Sequence, residues 1–154
     1  MNITDILQPS AVRSVSSISS KKRLFQELAD MAAASCDLAA SEVFEALQER
    51  ENLGPTGVGQ GVALPHARLD SLEQVVAVFL RLDKPVEFEA ADRQPVDLIF
   101  CLLAPTDAGV EHLKALALVS RTMRVSQVCS KLRANDDAAT LFTILTDAEG
   151  IKAA

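Results

Sequence analysis

The amino-acid sequence predicts an α/β fold, a central mixed β-sheet of four to five strands with helices on both faces. Two stretches, 75–82 (VVAVFLRL) and 95–105 (PVDLIFCLLAP), are nearly continuous apolar runs, the pattern of strands buried on both faces. Helical periodicity precedes and follows them. The resulting order of two helices, four strands and three helices places helical layers on either side of a sheet.

Taken in order, Ile3, Ile6 and Leu7 form a lead that packs on the body, followed by a Ser-rich run over 14–20. Leu24, Phe25, Leu28 and Ala32 mark the first helix, with Ser20 as its cap, although Lys21, Lys22 and Arg23 oppose the helix dipole. Ser41 and Glu42 open a second helix whose inner face is Val43, Phe44 and Leu47, and Gly54-Pro55 ends it. The segment 57–65 reads as one extended strand. Gly57, Gly59 and Gly61 would leave one face bare, and Pro65, which lacks an N–H, would stop the ladder and leave His66 at a strand end. The alternating VEFEA of 86–90 reads as a further strand, joined to 95–105 by a polar turn at 91–94. Three helical stripes then follow, Leu113-Leu116-Ala117-Ser120 in a helix opened by Thr106-Asp107, Val125-Val128-Cys129-Leu132, and Ala138-Leu141-Phe142-Leu145.

With 154 residues and 49% hydrophobic content, residues 1–150 are expected to form one domain followed by a tail at 151–154. No apolar stretch is long enough to span a bilayer and no basic-then-apolar leader is present, so no membrane insertion is expected. Three scattered cysteines, Cys36, Cys101 and Cys129, read as free thiols in a reducing cytoplasm. A net charge of −6 without Trp or Tyr argues against nucleic acid as a partner.

Chemistry concentrates in 54–70. A lone histidine at a strand boundary is by itself more often incidental than reactive, but the glycines allow close approach of another backbone or of a partner. Arg50 follows Val43 and Leu47 on the inward stripe of an otherwise acidic helix. It either snorkels to the helix end and nearby glutamates or offers a fork of donors to a phosphoryl group. His112 stands in the first turn of a helix, where imidazole loses proton affinity; it is otherwise an ordinary helix-start residue. The glycines lack GxGxxG spacing, no P-loop, HExxH or CxxC occurs, and no hydrolase elbow is present. No cofactor and no metal are therefore expected, and imidazole remains as the nucleophile, with phosphoryl transfer as its natural chemistry.

The residues Glu51, Val58, Gly59, Val62, Ala63, Leu64, Pro65, His66 and Ala67 fill a pattern that resembles the phosphohistidine signature of mannitol/fructose-type enzyme IIA components of the bacterial phosphotransferase system. RENLGPTGVGQGVALPHARL, PVDLIFCLLAP and EHLKALALVS extend the resemblance, over most of 1–150, to the nitrogen-regulatory branch. Ala67 stands where a glycine is frequent, still a small residue. The resemblance implies a mannitol-type IIA fold, His66 as phosphoryl acceptor on its tele nitrogen (a choice spacing alone leaves open), His112 as its supporting neighbour, and Arg50 as stabiliser of the phosphoryl group. It implies an HPr-like phosphocarrier as donor, regulatory proteins as targets, and a cytoplasmic, free-standing carrier, with Gly57, Gly59 and Gly61 as clearance for the partner. A sugar-type IIA passing phosphate to a IIB domain and an unphosphorylated interaction module are the alternatives.

Overall fold

The computed structural model describes residues 1–153, with side chains described for 1–147. Its elements in chain order begin with α1 (Ile3–Ile6), β1 (Leu7–Val15), α2 (Lys21–Cys36), α3 (Ala40–Leu53), β2 (Gly57–Gly59) and β3 (Val62–Ala63). They continue with β4 (His66–Leu69), β5 (Val76–Val86), β6 (Val96–Pro105), α4 (Gly109–Met123), α5 (Ser126–Arg133) and α6 (Ala138–Ala153).

The sheet is mixed and has six strands in the order β1-β5-β6-β3-β2, with β4 also paired to β6. Strand β5 lies parallel to β1 and antiparallel to β6, and β6 carries both β3 and β4 in parallel. Every residue from Ala77 to Leu82 and from Leu98 to Pro105 is buried, so both faces of these central strands are covered, as their apolar runs predict. Helices α2 and α3 pack together against β1, β4 and β5, while α4, α5 and α6 pack against β6, β5 and β1.

Four local expectations are corrected. The N-terminal lead packs on the body as expected, with Ile3, Ile6 and Leu7 buried, but what reads as a plain lead is a short helix and an edge strand; β1 carries Pro9 and a register shift between Leu7 and Val12, so no period-two pattern marks it. The VEFEA stretch is not a strand. Val86 closes β5 opposite Val96, after which the backbone leaves the ladder, with Glu89 at φ +58°. Phe88 instead plugs the core edge-on to Phe25, ring centroids 5.8 Å apart. Helix α3 begins at Ala40 with no side-chain cap, so Ser41 lies inside its first turn. Helix α4 begins at Gly109, after a turn closed by Ala108 N–H donating to the Pro105 carbonyl (3.1 Å), and its inner stripe includes His112, Ala115, Val119 and Thr122. That is one position round from the apolar stripe, and it leaves Leu113 66% exposed.

Other expectations match. Ser20 Oγ accepts from Arg23 N at 3.2 Å, and the unfavourable cation in that first turn is answered by Lys21 Nζ, 2.9 Å from Glu51 Oε1. Val128, Cys129, Leu132, Leu141 and Leu145 are buried. Cys101 and Cys129 are buried free thiols and Cys36 is a half-buried one. Among the described residues no helix is long and apolar enough to cross a membrane.

The segment 57–65 folds as a hairpin rather than one strand. Gly57 pairs with Ala63 and Gly59 with Val62, leaving Gln60 (φ +57°) and Gly61 (φ +79°) as a two-residue turn with both φ positive, as a type I′ hairpin turn requires. Gly57 serves a different end, because a Cβ there would lie 2.6 Å from the Ala90 Cβ and 2.8 Å from its Cα. The Gly57→Ala variant is expected to lose about 1–3 kcal/mol of stability, read from its urea midpoint. An unchanged midpoint would contradict this close packing.

Candidate functional site

His66 is positioned by a break in the sheet. Strands β3 and β4 pair with β6 in one continuous register, Ala63 with Ile99 and His66 with Leu102, yet Leu64 and Pro65 between them are outside both strands. Pro65 has no N–H to give. Its carbonyl still accepts from Leu102 N at 2.9 Å, and Leu64 N donates to the Thr56 carbonyl at 2.9 Å. The Leu64 carbonyl lies 2.9 Å from His66 Nδ1. A carbonyl can only accept, so Nδ1 carries the proton and Nε2 keeps its lone pair. Arg50 Nε–H donates to that Nε2 at 3.3 Å, consistent with the same tautomer. His66 therefore opens a strand instead of ending one.

Arg50 reaches the end of its helix, as one reading of its spacing expects, and also touches the imidazole of His66. Its Nη1 donates to the Gly54 carbonyl at 2.9 Å, satisfying the end of α3, while Nε meets His66. No ion pair joins it to a carboxylate among the described residues. Glu51, the first residue of the signature, is buried; it accepts from Thr56 N (2.9 Å) and Thr56 Oγ1 (2.6 Å) and pairs with Lys21. Through Thr56 and Leu64 it shapes the backbone that orients the imidazole.

His112 projects from the first turn of α4 with 5% exposure, its ring centroid 5.7 Å from that of His66. Its Nε2 is buried without a hydrogen-bond partner. Such a group is costly unless something completes it. Arg68, which residue-by-residue reading missed, lies two positions beyond His66 and so on the same strand face; its Nη1 donates to the Thr106 carbonyl at 3.1 Å. The period of two from His66 was the available signal. Arg50, His66, Arg68 and His112 line one cleft of about 490 Å³ together with Leu53 and Leu113, which are 86% and 66% exposed and form an apolar rim.

The three glycines lie on the hairpin rather than in this cleft. Their bare sides are met from within the chain, by Ala90 at Gly57, Asp92 at Gly59, and Arg133 with Asp97 at Gly61. Val58, between the first two, is 57% exposed. Among the described residues no three His, Cys, Asp or Glu side chains converge to hold a metal ion.

Burial lowers the proton affinity of His66; the Leu64 carbonyl works against this, the Arg50 charge adds to it, and Glu51 opposes it. His112 is lowered by burial and then by His66 and Arg68. Both rings are thus neutral near pH 7, and a neutral imidazole with a fixed Nδ1–H and an available Nε2 lone pair is a nucleophile. The same shifts bear on stability. With the folded values depressed, the unfolded chain takes up protons first as pH falls below about 6.5, so this contribution is present above that pH and lost on acidification. The thermal midpoint is expected to fall from pH 7 to pH 5, and more gently in His112→Gln. Equal slopes would remove His112 from this account.

A family model described as "Phosphoenolpyruvate-dependent sugar phosphotransferase system, EIIA 2" matches residues 5–148. The chain is 48% identical over 145 residues to a "Nitrogen regulatory protein" of Bradyrhizobium diazoefficiens, covering 94% of this chain and 95% of that one. The crystal structure of nitrogen regulatory protein IIA-Ntr from Neisseria meningitidis superposes with a TM-score of 0.87 at 39% identity, covering 94% of this chain and 99% of the other. At 16% identity, the Escherichia coli IIA mannitol structure still shares the fold, with a TM-score of 0.76 over 90% of this chain and 97% of that one. Sequence match, superposition and the histidine cleft converge, and the chain belongs to the EIIA type-2 family of the phosphotransferase system, among the relatives called nitrogen regulatory proteins.

Proposed function

We propose that the chain is a cytoplasmic phosphocarrier, taking a phosphoryl group onto His66 Nε2 from a phosphorylated HPr-like protein and controlling regulatory target proteins by its phosphorylation state. The observation that carries this reading is the Nδ1–H of His66 held on the Leu64 carbonyl, which leaves the other ring nitrogen as the lone-pair donor. In the transfer, that lone pair forms the new N–P bond while the P–N bond to the donor imidazole breaks and its electron pair returns to the donor ring. The Leu64 carbonyl supports the positive charge that His66 gains.

Arg50 turns from Nε2 to the phosphoryl oxygens, where its fork is suited to bind, and its Nη2 makes none of the bonds that hold it in the resting protein. His112 Nε2 gains in a phosphoryl oxygen the partner it lacks. Arg68 adds a second cation. Leu53 and Leu113 form the dry rim of the docking face, and Gly57, Gly59 and Gly61 shape the hairpin that presents Val58 to the same partner.

The test is to incubate the chain with phosphoenolpyruvate, the upstream enzyme and the HPr-like donor. One acid-labile, base-stable phosphoryl per chain is expected, assigned to Nε2 by nitrogen NMR. No uptake from any phosphorylated carrier would make the chain an unphosphorylated interaction module. Efficient onward transfer to a IIB domain would place it in the sugar branch instead.

A further inference from the structure

The turn that leads towards His66 is gripped by an arginine from a distant element. Arg133, the last residue of α5, donates through Nη2 to the Gln60 carbonyl at 2.7 Å, and through Nε and Nη2 to both carboxylate oxygens of Asp97 at 2.9–3.1 Å. Asp97 closes the loop, because its own backbone N–H and that of Leu98 donate to the Gly61 carbonyl, each at 3.0 Å. The guanidinium packs close against Gly61, where a Cβ would stand 2.5 Å from Nη2. On the other side of the turn Gln60 N donates to Asp92 Oδ2 at 2.9 Å.

This grip matters because β3 is only two residues long and follows three successive positive-φ residues, Gly59, Gln60 and Gly61. Short, glycine-rich strands specify their register weakly, and a one-residue slip turns every side chain to the opposite face. The register set at Val62 and Ala63 continues unchanged to His66, and it places the Leu64 carbonyl on Nδ1. We infer that Arg133 is a positioning residue for phosphoryl acceptance: by pinning the Gln60–Gly61 turn to Asp97 it holds the Leu64 carbonyl where it selects the reactive tautomer of His66. The inference rests on the phosphocarrier reading for its consequence, but its first readout needs no phosphoryl donor.

The experiment records the ring-nitrogen signals of His66 in the full chain at neutral pH, for wild type, Arg133→Gln and Arg133→Lys. In wild type Nδ1 is expected protonated and Nε2 bare. In Arg133→Gln the two signals are expected to move towards each other as tautomers mix, with kcat for phosphoryl acceptance falling about tenfold and KM for the donor little changed. Arg133→Lys, which keeps one charge contact with Asp97, is expected to recover part of both. Unmoved His66 signals in a folded Arg133→Gln variant, or a loss confined to KM, would overturn the inference. Should that variant not fold, unmoved signals in Arg133→Lys would overturn it equally. A chain that accepts phosphoryl while its His66 signals ignore Arg133 keeps the proposed function and loses this inference; signals that respond in a chain that accepts none do the reverse.

Discussion

The His66→Ala variant is expected to take up no acid-labile phosphoryl from the HPr-like donor, a loss on the order of 10⁴-fold or more, because a covalent carrier has no substitute for its nucleophile. His112 cannot replace it. That residue is only 5% exposed, too enclosed for in-line attack on a group carried by another protein. The loss should not arise from unfolding, since His66 is half-buried and its side chain makes two hydrogen bonds, to Leu64 and Arg50. Thermal melting alongside the labelling assay separates the two causes. A His66→Ala chain that still labels would remove His66 as the acceptor.

The Arg50→Ala variant is expected to slow phosphoryl acceptance about 10²-fold, the usual effect of removing one preorganised charged donor from a site of developing charge. Its stability should fall by about 1–2 kcal/mol, since the hydrogen bonds to the Gly54 carbonyl and to His66 Nε2 are lost from the resting fold. Arg50→Lys should lie between, because an ammonium keeps the charge but not the fork. Stopped-flow transfer measured beside urea denaturation tests both values. Unchanged transfer with the same stability loss would leave Arg50 as a helix cap and nothing more.

His66 and His112 are legible in the sequence as its two histidines at element boundaries, and Arg50 as a cation on the inward stripe of an acidic helix, and the structure brings all three into one cleft. Arg68 follows His66 at the strand period, a signal hidden where 57–65 reads as one strand that stops at Pro65. Arg133 and Asp97 were not legible at all. They lie 36 residues apart, pair side chain to side chain and each also bonds the backbone of the turn at 60–61, a relation that local periodicity does not encode.

The sequence alone determined the buried central strands, most of the helices, the histidine proposed as nucleophile and the family, because apolar periodicity, proline chemistry and a continuous signature are local properties. The tertiary structure decided three further matters. It turned period-two glycines into a hairpin, since positive φ at Gln60 and Gly61 reverses the chain where alternation suggests it runs on. It rotated the inner face of α4 to include His112, because packing against neighbouring elements, not the apolar stripe alone, settles which face is buried. It also left Nε2 as the ring nitrogen of His66 that keeps its lone pair, because a tautomer depends on which acceptor the folded backbone brings to Nδ1, and the Leu64 carbonyl is held between two segments paired with β6.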